Sequence, residues 1–224
     1  MKEFPARWAP AHPDRIQLYS LATPNGMKIG IALEELELPY EAHRIDFGER
    51  DQFHADFVAI NPNSKIPAII DPTGAEPFAI MESGAILIHL ADKAGRLLPS
   101  SGAKRSAVLQ WLFFQAGSIG PMFGQFGHFH KFAADKTSDT YANERYTTEA
   151  KRLLGVLNTR LADNEYLAGE YSIADIATAP WVAALDYYEG RDVLGYDEFE
   201  HVEAWKKRCL ERPAAIRGMQ VTPF

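Results

Sequence analysis

The alternation of apolar and polar positions divides the first part of the chain into two strands and a helix. Residues Ile16–Ser20 are mostly apolar and predict a strand, and the Pro, Asn and Gly within residues 22–26 predict a turn after it. Apolar side chains at helical spacing predict a helix over residues 27–37, and weak alternation predicts a second strand over residues 40–45. A β-α-β order implies a right-handed crossover between parallel strands.

The pattern continues with a short helix over residues 51–60, a strand over residues 66–71, a hairpin, a strand at Phe78–Met81 and a helix over residues 83–93. The resulting order β-α-β-α-β-β-α is that of thioredoxin-like domains. Turn-forming residues over 95–102 then predict a linker.

Strand patterns stop after Lys104, and only helical patterns follow. Ser172 and Asp175 form the pattern of a capping box in front of an apolar helix at Ile173–Tyr187. Four glycines and a proline among aromatics predict a kinked element at residues 117–130. We therefore expect an α+β N-terminal thioredoxin-like domain followed by an all-α helical-bundle domain. The predicted divisions are an irregular extension (1–14), the first domain (15–95), a linker (96–103) and the helical domain (104–224).

Composition excludes several classes of function. The 224 residues carry a net charge of −7, which argues against sequence-independent binding of nucleic acid. No apolar run reaches the ~20 residues that span a membrane, and residues 1–14 lack the apolar core of a secretory signal. The single cysteine, Cys209, excludes an intramolecular disulfide and fits a reducing, cytoplasmic location.

Two pairs of residues form the first candidate site. Pro67 interrupts an apolar run, which predicts a cis Ile66-Pro67 bond that turns the Ile66 backbone toward a ligand. Glu82 and Ser83 precede a helix, where Ser83 as the cap and the free N–H groups would receive an anion. The alternative is a proline turn and a serine cap without a ligand.

The turn at Thr23-Pro24-Asn25 is the second candidate. It follows the first strand, where redox proteins of this fold carry a reactive cysteine, and this chain has none there. Thr23 offers a hydroxyl and a backbone N–H, and Asn25 offers an amide donor, so the turn can favour a thiolate over a thiol. The alternative is a simple turn at the start of a helix.

These segments together resemble the Nu-class bacterial glutathione transferases. The resemblance rests on Thr-Pro-Asn-Gly at 23–26, Asn-Pro-Asn-Ser-Lys-Ile-Pro at 61–67, Glu-Ser-Gly-Ala at 82–85 and Gln-Trp-Leu-Phe-Phe-Gln at 110–115, and it covers nearly the whole chain. It implies glutathione as cosubstrate, no metal, and reduction of organic disulfides, with peroxide reduction in some members. It also implies that Thr23 and Asn25 approach the glutathione sulfur.

The resemblance assigns further roles by position. Gln52 and Lys65 would reach the glycine end of glutathione, and Arg145 a second glutathione. Ile66, beside Pro67, would pair with the cysteinyl backbone, Glu82 would take the γ-glutamyl ammonium, and Ser83 its carboxylate. The residues expected to wall the active-site mouth are Phe123, Gln125, Phe126 and His128.

Other interpretations of these residues stay open. The pattern alone favours a solvated surface for Gln52 and Lys65, and Arg145 could pair with Glu149 one helical turn on. His128 and His130 have no third ligand nearby, so we expect no metal site.

We therefore predict a cytoplasmic, homodimeric glutathione-dependent disulfide reductase. The resemblance implies two glutathiones per site, and a single glutathione is the alternative. It would bind a small disulfide, peroxide or electrophile, but neither nucleic acid nor a membrane. The alternatives are a conventional transferase that conjugates electrophiles or reduces peroxides, and a non-catalytic glutathione-binding regulatory or assembly protein.

Overall fold

A four-stranded mixed sheet organises the first part of the chain. The computed structural model describes residues 4–136 and 140–224, and its strands run in the order β2-β1-β3-β4, with β1 parallel to β2 and β3 antiparallel to both β1 and β4. The predicted thioredoxin-like order is confirmed. The elements are β1 (Ile16–Ser20), α1 (Pro24–Leu36), β2 (Tyr40–Arg44), α2 (Ala55–Ile60), β3 (Ala68–Asp71), β4 (Phe78–Met81) and α3 (Ser83–Ala94).

The pairing register brings three candidate segments to one edge of this sheet. Tyr19 of β1 pairs with Ala68 of β3, and Ala68 pairs with Met81 of β4. The end of β1, the start of β3 and the end of β4 therefore lie side by side. Since β3 starts at Ala68, two residues later than predicted, Pro67 stays outside the ladder, to which it has no N–H to donate.

Within the extension predicted for residues 1–14, residues 4–14 are irregular apart from one short turn, and residues 1–3 lie outside the described part of the chain. Ala6–Trp8 form a 3-10 turn, and the Trp8 ring meets the rings of Tyr19 and Phe57 edge-on, at centroid distances of 6.2 and 6.4 Å. Tyr19 and Phe57 belong to the apolar core on one face of the sheet. Burial of the Trp8 ring against this core explains why the segment docks.

The second compact unit, Leu97–Arg212, is helical. Residues 115–132, which include the segment 117–130 predicted to be kinked, form a π-helical turn, α5 and a second π-helical turn in succession. The predicted capping box is confirmed, and the buried Asp175 carboxylate also accepts hydrogen bonds from Leu167 N–H and Trp205 Nε1–H. The helices are α4 (Gly102–Phe114), α5 (Gly120–Gly127), α6 (Tyr141–Ala162), α7 (Ile173–Tyr187), α8 (Arg191–Leu194) and α9 (Glu200–Leu210).

The C-terminal segment departs from the predicted domain 104–224. Pro213–Phe224, which include α10 (Pro213–Gly218), form the first compact unit together with Met1–Arg96. Backbone contact between α1 and α10 at Gly30 and Gly218 is so close that a Cβ on Gly218 would lie 2.4 Å from the Ile31 backbone nitrogen. Beyond α10, the Thr222 carbonyl accepts a hydrogen bond of 2.7 Å from Ala22 N–H, directly before the Thr23 turn.

A buried carboxylate ties α3 to the β3–β4 hairpin. Asp71, at the end of β3, is fully buried and accepts hydrogen bonds from the Thr73 hydroxyl at 2.7 Å and from Lys93 at 3.3 Å, and it lies 2.7 Å from His89 Nε2. Burial acts to raise the pKa of Asp71, but the bonds from Thr73, His89 and Lys93 outweigh it and lower the pKa to about 2. His89 and Lys93 lie on the second half of α3, so this cluster fixes the orientation of that helix.

Across residues 4–136 and 140–224, no helix combines the length and the apolar character needed to cross a membrane.

The Asp71 cluster generates a prediction about acid stability. Because the pKa of Asp71 is lower in the folded chain than the ordinary 3.8, its stabilising effect is present above about pH 4 and is lost as the pH falls toward 2. We expect Asp71→Asn to lower the free energy of unfolding by about 2 kcal/mol at pH 7 and by progressively less below pH 4. Urea unfolding at pH 7, 5, 4 and 3.5 measures the difference.

The control is Asp197→Asn, because the Asp197 side chain is 89% exposed. We expect its free energy of unfolding to differ from that of the unchanged chain by less than about 0.5 kcal/mol at any of these pH values. A loss in Asp71→Asn that stayed constant from pH 7 to 3.5 would contradict the account of the cluster.

The contact between α1 and α10 generates a second prediction. We expect Gly218→Ala to destabilise the chain by roughly 1–3 kcal/mol, because the new methyl group would overlap the Ile31 backbone. Gly155→Ala is the matched control: it lies within α6, its Cβ meets nothing within 4 Å, and the change should stabilise by roughly 0.5–1 kcal/mol. Thermal unfolding of both variants gives the comparison, and equal effects would refute the packing argument.

Candidate functional site

The turn at Thr23 is the N-cap of α1. The Thr23 Oγ1 accepts a hydrogen bond of 3.3 Å from Gly26 N–H, and the Thr23 N–H donates to the Leu21 carbonyl at 2.7 Å. The prediction that the Thr23 N–H would be available to a ligand is therefore wrong. The Thr23 hydroxyl accepts the bond from Gly26 and can still donate its own hydrogen to another group. Since α1 starts at Pro24, Asn25 lies in its first turn, where the helix dipole is positive.

Gly26 presses this turn against the end of β1. A Cβ on Gly26 would lie 1.9 Å from the Leu21 carbonyl oxygen, so only glycine permits the approach. The turn is thus held by backbone contact on one side and by the bond from Ala22 to Thr222 on the other.

The loop 61–67 brings the Ile66 backbone to the same edge. The Ile66-Pro67 bond is cis, as predicted. Ile66 precedes the paired part of β3, so its backbone groups lie outside the ladder. Asn61, 2% exposed, holds the loop: its Nδ2 donates to the Lys65 carbonyl at 2.6 Å and its Oδ1 accepts from Asn63 N–H at 2.9 Å. Sequence reasoning missed the role of Asn61, although Asn before Pro is a recognised turn signal.

The start of α3 is open but differs from the prediction in its cap. Glu82, not Ser83, is the N-cap, with a positive φ of 69°, and Ser83 is the first helical residue. The first helical hydrogen bond runs from Ile86 N–H to the Glu82 carbonyl, so the N–H groups of residues 83–85 precede the helical bonding pattern. A Cβ on Gly84 would meet nothing within 4 Å. The helix start therefore presents donors and a positive dipole to open space, the arrangement that binds carboxylates.

A buried lysine lies behind this helix start. Lys28, on α1, is 2% exposed, and its Nζ donates to the Ser83 Oγ at 3.2 Å. Burial lowers the pKa of Lys28 to about 7, against the opposing effect of the Glu82 charge. Sequence reasoning did not select Lys28, and the signal was a cation between Met27 and Ile29 on a helix that is otherwise apolar there.

Lys65 lies next to this edge because it directly precedes Ile66, and Gln52 lies in the short turn that follows β2. Gln52 is in the 3-10 turn Asp51–Phe53, and its Oε1 is buried without a hydrogen-bond partner among the described residues. Lys65 is exposed and directly precedes Ile66. Asp51 anchors the turn by accepting hydrogen bonds from Asp46 N–H and from Arg7. The assignment of Gln52 and Lys65 to one end of a ligand stays a prediction.

The residues predicted to wall the active-site mouth divide into two groups. Phe123 and Phe126 are fully buried in the core of the second unit, where Phe126 stacks on His130 at 4.9 Å, so they are core residues and the prediction is wrong for them. Helical spacing turns them inward. Gln125 and His128 are exposed, and their role stays a prediction. Within the described ranges, no group of three or more His, Cys, Asp or Glu side chains is arranged to hold a metal ion.

Arg145 lines a cavity of about 510 Å³ in the second unit, a volume in the range of small-molecule sites. The alternative partner, Glu149, forms two hydrogen bonds of 2.8 Å with Arg152. These bonds, with the Arg145 charge as a smaller effect, lower the pKa of Glu149. The other residues that line the cavity are Met122, Tyr141, Glu144, Tyr146, Thr148 and Glu149.

The combined arrangement suits an anionic ligand and a reaction that uses an external thiol. The single cysteine, Cys209, is 1% exposed and packs in the core of the second unit. The hydroxyl of Thr23, the amide of Asn25 and the start of α3 are instead donors, which can stabilise negative charge on a bound molecule.

Comparison with known sequences identifies relatives along most of the chain. Residues 15–92 match the glutathione S-transferase N-terminal domain, and residues 118–213 match the C-terminal domain. The disulfide-bond oxidoreductase YfcG of Escherichia coli is 47% identical over 208 residues, which are 91% of this chain and 94% of that protein. The disulfide-bond oxidoreductase YghU of the same organism is 46% identical over 217 residues, 92% of this chain and 74% of that protein.

Solved structures give the same result. A glutathione transferase family member from Pseudomonas fluorescens with two glutathione bound is 52% identical, with a TM-score of 0.93 over 95% of this chain and 96% of that chain. A glutathione transferase from Pseudomonas putida with one glutathione disulfide bound per subunit is 49% identical, with a TM-score of 0.93 over 96% of this chain and 95% of that one. By sequence and by fold, this chain belongs to the glutathione transferase family.

Proposed function

We propose that this chain is a glutathione-dependent disulfide reductase that activates a glutathione thiolate at the Thr23–Asn25 turn. One observation carries the proposal: the strand register brings this turn, the Ile66 backbone and the start of α3 to one edge of the sheet. Donors for a thiolate, for a peptide backbone and for a carboxylate then stand together. The names of the relatives YfcG and YghU favour disulfide reduction over conjugation.

The thiolate is stabilised by hydrogen bonds and by the dipole of α1. A free thiol has a pKa of ~8.5, and lowering it by ~2 units takes roughly 2.7 kcal/mol. The Thr23 hydroxyl and the Asn25 amide supply about 1.5–3 kcal/mol each when they donate to a charged acceptor. Two such bonds and the start of α1 are sufficient.

The rest of the tripeptide is assigned to the other segments. The Ile66 backbone pairs with the cysteinyl residue, and the start of α3 receives the γ-glutamyl carboxylate through Ser83. Glu82 pairs with the γ-glutamyl ammonium. Gln52 and Lys65 are assigned to the glycine end of glutathione. The exposed ammonium of Lys65 suits the glycine carboxylate, and Gln52 would donate to that carboxylate through its Nε2, because its buried Oε1 is an acceptor.

The reaction needs two thiols, and we assign both to glutathione. A glutathione thiolate attacks one sulfur of the disulfide and expels the other as a thiolate, which takes up a proton. A second glutathione thiolate then attacks the glutathione sulfur of the mixed disulfide, so that glutathione disulfide forms and the second substrate thiol leaves. The cavity that Arg145 lines is the candidate site for this second glutathione, since an exposed guanidinium suits its carboxylates.

We further propose that the chain forms a homodimer in the cytoplasm. β4 is an edge strand, and it exposes the apolar side chains of Phe78 and Met81 by 40% and 37%. Such an edge is normally covered. A reducing compartment supplies the glutathione that the reaction consumes.

The assignment of Asn25 is tested by turnover. Asn25→Ala removes one charge-assisted hydrogen bond, so we expect disulfide reduction near pH 7 to fall roughly 10- to 100-fold. Without this donor the bound thiol has a higher pKa, so activity should recover as the pH rises. The measurement is the pH profile of kcat with glutathione and a small symmetric disulfide.

Two variants serve as controls for Asn25. Thr23→Ser keeps both the cap and the hydroxyl and should retain most of the activity. Glu82→Ala should raise the KM for glutathione more than it lowers kcat, because the Glu82 carboxylate is proposed to bind the γ-glutamyl ammonium, away from the sulfur. If Asn25→Ala leaves kcat and the pH profile unchanged, Asn25 is only a turn residue. If the unchanged enzyme conjugates an aryl halide but does not reduce disulfides, the result favours the transferase alternative.

The second glutathione is tested by stoichiometry. Isothermal titration should show two glutathiones per chain, and Arg145→Met should weaken the second by about 10- to 100-fold while it leaves the first unchanged. Arg152→Met removes an arginine of the same helix that is already paired with Glu149, so both affinities should persist. One glutathione per unchanged chain would refute the assignment of Arg145.

A further inference from the structure

Lys28 is a buried lysine whose ammonium contacts the hydroxyl of Ser83, and burying such a charge is costly. A lysine is almost never fully buried unless it is paired. Lys28 is 2% exposed, and its Nζ lies 3.2 Å from the Ser83 Oγ, on the first residue of α3. The ammonium therefore stands directly behind the hydroxyl at the proposed γ-glutamyl site.

The direction of this hydrogen bond decides what Ser83 can bind. A charged lysine is a donor only, so the Ser83 oxygen must accept from it, and the single hydroxyl hydrogen is then directed elsewhere. A hydroxyl in that state can donate to a ligand carboxylate. A neutral lysine has a lone pair, which can accept the Ser83 hydrogen and withdraw it from the ligand.

We propose that Lys28 is a positioning residue: its buried ammonium turns the Ser83 hydroxyl outward as a donor and so selects a ligand carboxylate at the start of α3. The inference rests on the proposed function, because it takes glutathione as the ligand, and it adds a residue to which the family resemblance assigns no role. Binding then becomes coupled to protonation of Lys28.

The charges around Lys28 favour this coupling. Glu82 is the charged group whose field acts on Lys28. The other charged groups on the helices that pack against α1 are bound elsewhere or exposed: His89 and Lys93 of α3 to Asp71, Arg217 of α10 to Glu34, and Asp92 at the surface.

The protonation state of Lys28 changes within the physiological range. Burial lowers the pKa of Lys28 to about 7, so the unliganded lysine is largely neutral at pH 8. A carboxylate that accepts from Ser83 raises this pKa again, because an opposite charge favours the protonated form. By linkage, binding at pH 8 takes up a proton, and affinity falls as the pH rises above 7.

Calorimetry with S-methylglutathione tests the inference, because this probe has no thiol that could release a proton. Titrations at pH 8 in buffers of different ionisation enthalpy should show uptake approaching about one proton per site in the unchanged chain. Lys28→Met should abolish the uptake and weaken binding at pH 7 by about tenfold or more. Lys28→Gln keeps a neutral donor to Ser83, and we expect intermediate affinity without proton uptake.

Steady-state kinetics of Lys28→Met and an exposed lysine variant as a control provide two further measurements. Lys28→Met should raise the KM for glutathione and leave kcat at saturation within about threefold, since Lys28 does not contact the sulfur. Lys104→Met removes a lysine whose side chain is 81% exposed in the second unit, and it should change neither the affinity nor the proton uptake.

The outcomes separate the inference from the proposed function. If the unchanged chain binds neither glutathione nor S-methylglutathione, the proposed function fails and the inference with it. If the unchanged chain binds the probe, and the Lys28 variants bind it within twofold or still take up the proton, the inference alone is overturned. If Lys28→Met does not fold, Lys28→Gln and the uptake by the unchanged chain decide by the same criteria.

Discussion

The position of β3, antiparallel to both β1 and β4, is the constraint on which the candidate site depends. Pairing of Ala68 with Tyr19 on one side and Met81 on the other puts the turn after β1, the loop before β3 and the helix after β4 at one edge. A one-residue slip of β3 would turn its buried side chains to the opposite face and move the Ile66 backbone away. The hydrophobic core on both faces of the sheet therefore holds the site in register.

Helix α3 is fixed by buried charge at both of its ends. The Lys28 ammonium meets Ser83 at its start, and the Asp71 carboxylate binds His89 and Lys93 toward its end. Each ion is costly to bury, and these hydrogen bonds offset part of that cost. A helix held in this way keeps its first N–H groups aimed in one direction, which is what recognition of a carboxylate requires.

Local signals in the sequence carry the order of elements, the cis bond before Pro67 and the capping box at Ser172, because each depends on neighbouring residues. Several of the failures depend on contacts that are distant in the sequence. Nothing near Gly218 indicates that it meets Gly30, so the return of the C-terminal segment to the first unit was not predictable. The same holds for Lys28, whose Nζ meets Ser83 at the start of α3, far along the chain. The family resemblance assigned Phe123 and Phe126 to a pocket wall, but helical spacing places both in the core.

The absence of a usable thiol in the chain shapes the whole site. A redox protein with its own cysteine has one permanent nucleophile. In this chain Cys209 is buried in a core, and the proposed function takes the nucleophile from bound glutathione instead. Donors at the sulfur and donors at the γ-glutamyl end then act on different quantities. In the proposed function, Thr23 and Asn25 set how much of the bound thiol is ionised and hence kcat. Ser83 and Glu82, with Lys28 as the proposed positioning residue, set how much glutathione is bound and hence KM. Because α1 carries both Asn25 and Lys28, one rigid helix sets the distance between the two groups of donors. In the proposed function, that distance should match the extended γ-glutamyl-cysteinyl part of glutathione.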